Sequence, residues 1–368
     1  MESRSGDQRE ELSEDSFRRM IAIERKRTER SKEPFLLMLV ELSDQTESDQ
    51  AHSVLQRMLT VLRECSRETD VIGWYKERSV IGVIFTGLVV KDKSLIRTTI
   101  LRRVSGLLRN ELMHDHFCQV SLSFHFFPDE WDHDNSESPT NVALYPDLMN
   151  PSSRKRSLLT MKRAIDVMVS GLGLLLLSPL LLAVAIAIKL TSKGPVLFKQ
   201  ERVGQYGKLF TVLKFRSMYV DNDHGVHQEY VTKLIADKAE PLAVAGASEG
   251  VYKLTNDRRI TPLGRVLRRT SLDEIPQMIN VFRGEMSLVG PRPAIPYELA
   301  AYQTWHRRRI LQAKPGITGL WQVMGRSLVK FDDMVRLDLR YATSWSLWLD
   351  VWILLRTPMA VIRGAGAY

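Results

Sequence analysis

Two adjacent carboxylates, Asp273 and Glu274, follow a run of guanidinium groups at Arg265, Arg268 and Arg269, and another arginine sits within Ser287-Leu-Val-Gly-Pro-Arg-Pro293 as Arg292. Arginine forks hold phosphate oxygens, whereas a carboxylate pair repels them, so the two belong together where a divalent cation relieves the repulsion. That is a phosphoryl-transfer site in outline. A structural reading of the same residues also exists. Thr270 to Gly284 predicts a helix that begins near Thr270 to Asp273, takes Pro276 into its first turn and ends at Gly284. Asp273 is then an N-cap, Ser271 and Glu274 have capping-box spacing, and the helix start itself attracts anions. The residues alone leave both readings open.

The element that must position this chemistry is a hydrophobic stretch from Ile165 to Leu190, free of charged side chains from Val167 to Ile188. Its 22 uncharged residues reach about 33 Å as a helix, enough for one crossing of a bilayer core. Ser178-Pro179 interrupts it, because proline removes a donor and clashes with the Leu175 carbonyl; the Ser178 hydroxyl is the candidate to satisfy the freed group. The flanks are basic on both sides, with Arg154, Lys155, Arg156, Lys162 and Arg163 before and Lys189, Lys193 and Lys199 after. A spanning helix keeps such an excess at one end. The expectation is a re-entrant helix, broken at Ser178-Pro179, with both ends on the cytosolic face.

A net charge of +9 fits an anionic partner, which could be a phosphorylated substrate, a lipid surface or nucleic acid; no nucleic-acid module is recognisable. Two cysteines, Cys65 and Cys118, without metal-ligand spacing fit a reducing compartment. The polar start of the chain lacks the apolar run of a secretory signal, so the region before Ile165 is expected to stay in the cytosol.

Residues 1–15 read as a disordered polar leader. Ser16 to Lys32 follows as a charged helix, and then come strand Phe35–Leu42, helix Ala51–Arg67, strands Val71–Tyr75 and Val80–Phe85, helix Ser94–Leu112 and strand Gln119–Phe127. This βαββαβ order, with a tight hairpin between the central strands, resembles the ferredoxin-like GGDEF (diguanylate cyclase) fold over residues 16–128. The hairpin reads Lys76-Glu-Arg-Ser-Val80, so the glycines and paired acids of a cyclase are absent and the domain is expected to be degenerate. Arg67-Glu-Thr-Asp70 has the form of an inhibitory cyclic di-GMP site, and an ordinary charged helix end is the other reading. Regulation or self-association as a homodimer are the roles left to this domain. Residues 129–160 read as a linker.

Beyond the apolar stretch, Gly194 to Met218 predicts a hairpin turning at Gln205 to Lys208, residues 221–250 a loop, Phe331 to Tyr341 a helix, and Trp345, Trp348 and Trp352 a stripe on an interfacial or core-packed helix. The motifs Lys162-Arg163 with Asp166, Ser178-Pro179, Lys214-Phe-Arg-Ser-Met218, Arg269-Thr-Ser-Leu-Asp-Glu-Ile-Pro-Gln277, Ser287 to Pro293 and Lys314 to Gln322 occur in one order. Together they resemble the bacterial sugar transferases, the monotopic polyprenyl-phosphate phosphoglycosyl transferases.

The resemblance implies a re-entrant membrane helix at 161–193 and a small α+β catalytic domain at 194–368, an α/β (α+β) chain overall. It implies that Asp273 is a nucleophile and Glu274 its partner, with both near a Mg²⁺ ion. Asp273 attacks a UDP-sugar, releases UMP and passes the phosphosugar to undecaprenyl phosphate, starting a surface glycan at the bacterial inner membrane with the catalytic domain facing the cytoplasm. Arg216, Arg268, Arg269 and Arg292 are implied as phosphate ligands, and Lys162 with Arg163 near the lipid phosphate. The alternative is an inactive membrane-bound scaffold that senses a cyclic dinucleotide.

Overall fold

The computed structural model describes residues 11–42, 48–88, 92–128, 141–149, 153–219, 232, 234–235, 259–325 and 329–362. The expected loop at 221–250, the first ten residues of the leader and most of the acidic part of the linker lie outside them, apart from residues 232, 234 and 235. The chain divides into two compact units, 1–130 with 141–150, and 131–140 with 151–368.

In the first unit, helix α1 (Glu14–Ser31) precedes β1 (Phe35–Leu42), α2 (Ser48–Cys65), β2 (Val71–Lys76), β3 (Val80–Phe85), α3 (Lys93–Glu111), the single turn α4 (His114–Phe117), β4 (Val120–Phe127) and a short α5 (Pro146–Met149). The strands form one antiparallel sheet in the order β2-β3-β1-β4, the ferredoxin-like arrangement. β1 is apolar nearly throughout because both sheet faces are covered. Leu36, Met38 and Val40 meet Leu55, Met58, Leu59 and Leu108 of α2 and α3. On the other face Phe17 of α1 lies on the paired glycines Gly73 and Gly82, where a Cβ on Gly82 would come within 2.2 Å of its ring.

Part of the expected linker also folds here. Tyr75 donates to the Ala143 carbonyl at 3.1 Å, Arg25 to Asp147 at 2.5 Å, and Tyr145 sets its edge against Phe127. At the proposed inhibitory motif, Asp70 accepts from the Arg67 backbone at 2.8 Å, which closes a local turn.

In the second unit, α6 (Ser153–Thr191) is a single helix of 39 residues, one long and apolar enough to cross a membrane. It begins eight residues before the expected membrane segment, and it is not broken at Ser178-Pro179. The reason is local. Proline deprives the Leu175 carbonyl of its donor, and the Ser178 hydroxyl supplies one at 2.8 Å. The helix continues because its lost bond is replaced.

After α6 come the hairpin β5 (Leu197–Val203) and β6 (Leu209–Phe215), then α7 (Pro262–Thr270), α8 (Gln277–Arg283), β7 (Ser287–Val289), α9 (Pro296–Ala301), α10 (Thr304–Gln312), β8 (Gly316–Thr318), α11 (Leu320–Met324), α12 (Phe331–Thr343) and α13 (Leu347–Ile362). β7 and β8 pair in parallel, and Gly316 packs so closely on Gly290 that a Cβ there would lie 2.0 Å from its nitrogen.

α6 rests on α8 through small residues, with Gly173 against Met278 and Gly171 against Phe282. Further along, Ile188 packs with Phe215 and Leu267. α13 has two working faces. Asp350 and Ile353 are buried, while Trp348, Val351, Leu355 and Met359 project outward from one side. Trp345 and Trp352 are half-buried against the core, so the tryptophan stripe is divided between packing and exposure.

Candidate active site

Asp273 does not cap a helix. α7 ends at Ser271, whose left-handed backbone (φ 57°) turns the chain into a 3-10 turn over Leu272–Glu274, and α8 starts only after Pro276. Ser271 makes no side-chain cap bond, so the expected capping box is absent. The carboxylate is left available for chemistry.

The turn is placed from two sides. Gly264 lets α7 sit directly on the exit of β6, since a Cβ there would lie 2.0 Å from the Ser217 carbonyl oxygen. Buried Asn280 ties α8 to β6 by accepting from Leu213 N at 3.1 Å and donating to the Thr211 carbonyl at 2.7 Å. Lys214 of β6 then reaches Glu274, with Nζ 2.6 Å from Oε1, and Arg268 Nε donates to Ser217 Oγ at 2.8 Å.

These contacts separate the two acids. Burial, then repulsion from Glu274, pushes Asp273 up to about 6, with Lys214 and Arg268 offsetting part of the shift. Burial also opposes ionisation of Glu274, but the Lys214 ion pair with the charges of Arg292 and Arg202 outweighs it and holds Glu274 below the ordinary carboxylate range. Two neighbouring carboxylates with divergent ionisation are the usual mark of divided chemical roles.

The expected phosphate ligands are distributed unevenly. Arg268 and Arg292 act on the acid pair. Arg269 is exposed at the end of α7. Arg216 is buried, and its Nη2 donates to the Ser192 carbonyl and hydroxyl at 2.8 and 2.7 Å, which closes the end of α6; Nε and Nη1 have no partner among the described residues.

Lys162 and Arg163 stand elsewhere. The Lys162 ammonium lies 2.6 Å from Asp350 Oδ2, 3.1 Å from the Val289 carbonyl oxygen and 3.4 Å from the Tyr341 hydroxyl, which uses its three donors. Arg163 donates to the Val281 and Phe282 carbonyls at 2.6 and 2.8 Å and so closes the carboxyl end of α8. Both tie elements of this unit together in this arrangement. Asp166 does the same, accepting from Leu288 N at 3.0 Å.

Lys214, Ser217, Arg202 and Asn280 escaped the sequence reading as site residues. Lys214 is 60 positions from Glu274, so no local pattern joins them.

Among the described residues no three His, Cys, Asp or Glu side chains gather as a closed metal cage. Asp273 and Glu274 offer the hard oxygen donors that suit magnesium alongside phosphate oxygens, with one Glu274 oxygen already held by the Lys214 ammonium.

The chain is 45% identical over 215 residues to the undecaprenyl-phosphate galactose phosphotransferase of Salmonella typhimurium, covering 58% of this chain and 43% of that one. It is 40% identical over 207 residues to the exopolysaccharide production protein ExoY of Sinorhizobium fredii, covering 56% and 88%. Among solved structures, a DGC protein from Thermotoga maritima matches 33% of the chain and 84% of its own, with 16% identity and a TM-score of 0.28. The chain spans less than half the length of several curated relatives it matches. The model of the family described as bacterial sugar transferase matches residues 157–364, more than half of the chain, with the acid pair and its arginines inside the match, and the chain belongs to that family.

Proposed function

We propose that the second unit transfers a sugar 1-phosphate from a UDP-sugar to undecaprenyl phosphate, the first step in building an exopolysaccharide, capsule or O-antigen. The observation that carries this reading is the buried Asp273, raised to about 6 beside an ionised Glu274 and flanked by Lys214, Arg268 and Arg292. An Asp273 oxygen attacks the phosphorus that bears the sugar; the bond to the UMP oxygen breaks and UMP departs. The lipid phosphate then attacks the same phosphorus, frees the carboxylate and leaves a lipid diphosphosugar.

Arg268 and Arg292 hold phosphate oxygens, and Lys214 keeps Glu274 charged. Magnesium, held by Asp273 and Glu274, would neutralise the diphosphate. Glucose and galactose are the first sugars to try. Purified full-length protein with a panel of UDP-sugars and undecaprenyl phosphate should release UMP and form a lipid-linked sugar with at least one of them. Absence of UMP across the panel would count against the reading.

The same proposal places α6 in the inner leaflet of the bacterial cytoplasmic membrane, with the second unit facing the cytoplasm. Leu172, Leu175, Leu176, Leu182 and Leu190 are exposed along it. At one end of its uncharged stretch Asp166 binds Leu288, and at the other Ile188 packs on Phe215 and Leu267 of the same unit. A perpendicular crossing would carry Phe215 and Leu267 to the far side of the bilayer. A helix that enters and returns on one side, bending at Pro179 without breaking, keeps them together. Trp348 and Leu355 of α13 add an apolar face suited to the headgroup level. Single cysteines at Arg154 and Lys199 are expected to label from the cytoplasmic side only; labelling from opposite sides would contradict this topology.

A further inference from the structure

Two arginines are buried beside the loop that carries Arg292, and they differ in their counter-charges. Arg309, 2% exposed, pairs with Asp338 at 3.1 Å and donates to the Tyr302 hydroxyl. Arg202, 5% exposed, meets neutral acceptors: Nε and Nη2 reach Gln200 Oε1 at 3.1 and 2.6 Å, and Nη1 reaches the Pro293 carbonyl at 2.9 Å. Among the described residues no carboxylate lies within ion-pair distance of it. A buried charge without an ion-pair partner is unfavourable, and Arg292 nearby makes it more so; burial and that repulsion bring Arg202 down to about 10. Glu298, whose field favours Arg202, already accepts from Ile295 N and the Tyr302 hydroxyl.

The loop is gripped on both sides of Arg292. Gly290 N donates to the Thr318 carbonyl at 2.9 Å and Gly316 N to the Pro291 carbonyl at 2.8 Å. Beyond Arg292, Arg202 holds the Pro293 carbonyl and Val203 N holds that of Ala294 at 2.9 Å. Arg292 itself is exposed, and both Arg292 and Arg202 act on Glu274.

We propose that Arg202 is a positioning residue for the donor's diphosphate: its bond to the Pro293 carbonyl aims Arg292, and its buried charge, outside ion-pair distance of the described carboxylates, adds to the field that favours the diphosphate. This rests on the transferase reading above. Arg202→Met should weaken UDP binding to the full-length protein, measured by titration calorimetry with magnesium, on the order of tenfold. The KM for the UDP-sugar should rise by a similar factor while that for undecaprenyl phosphate stays unchanged, and Arg202→Lys should recover part of the loss.

Wild-type protein that binds no UDP overturns the transferase reading together with this one. UDP binding that depends on Arg292 but is unchanged in Arg202→Met overturns only the role of Arg202, as does an equal rise in both KM values. Should Arg202→Met fail to fold, Gln200→Ala releases two of the three guanidinium contacts and is expected to shift the same two donor readouts; unchanged values there overturn the proposal.

Discussion

Asp273→Asn should abolish sugar-phosphate transfer, with a loss on the order of 10⁴-fold or more, while the protein stays folded. The exchange keeps the shape of the side chain and removes the charged oxygen that must bond to phosphorus. Asp273 lies in a 3-10 turn and caps no helix, so little stability depends on its charge. Burial and Glu274 raise it to about 6, and attack requires the ionised form. Activity limited by that group should fall as the pH drops through its folded-state value, and a divalent cation bound beside it would move that fall to lower pH. Steady-state UMP release over a pH series, with deamidation of the Asn variant excluded, measures both effects. Wild-type turnover by Asp273→Asn would remove the nucleophile assignment.

Lys162→Met should act on stability rather than on the lipid acceptor. The ammonium is one side of a buried cluster in which Asp350 also accepts from Trp345 Nε1 at 3.0 Å and from the Tyr341 hydroxyl at 2.7 Å. Removing one partner leaves the Asp350 carboxylate buried without its counter-charge, a loss of about 3–5 kcal/mol. For a unit of this size that corresponds to a fall in melting temperature of about 10 °C. Thermal unfolding in detergent should show it, and Lys162→Met with Asp350→Leu should recover part. Unchanged stability with a selectively raised KM for undecaprenyl phosphate would return Lys162 to the lipid site.

The first unit was legible because each strand of its sheet carries its own signal: Phe35–Leu42 is apolar except for Glu41, and Val71 and Val80 open short β-branched segments between turn residues. The acid pair was legible as chemistry but not as geometry. Thr270 to Gly284 satisfies the rules for one capped helix, and only the packing of Gly264 on Ser217 with the left-handed Ser271 divides it into two. Lys162 and Arg163 look identical in sequence whether they face a phosphate or a carbonyl; their partners lie more than a hundred positions away. Arg202 was invisible for the same reason, since its meaning comes from Pro293 and Arg292 across the fold. Ser178 is the opposite case. Its hydroxyl was identified as the group to satisfy Leu175, but satisfying it keeps the helix whole.

If a phosphosugar passes through Asp273, the mass of the intact protein records it. Wild-type protein incubated with its UDP-sugar and magnesium, without lipid acceptor, should gain the mass of one phosphosugar, mapped to Asp273. Undecaprenyl phosphate should discharge it, and Asp273→Asn should never acquire it. An adduct of equal yield on Asp273→Asn, or lipid product formed rapidly by wild-type protein while no adduct is seen in rapid-quench samples taken within one turnover, would contradict the account.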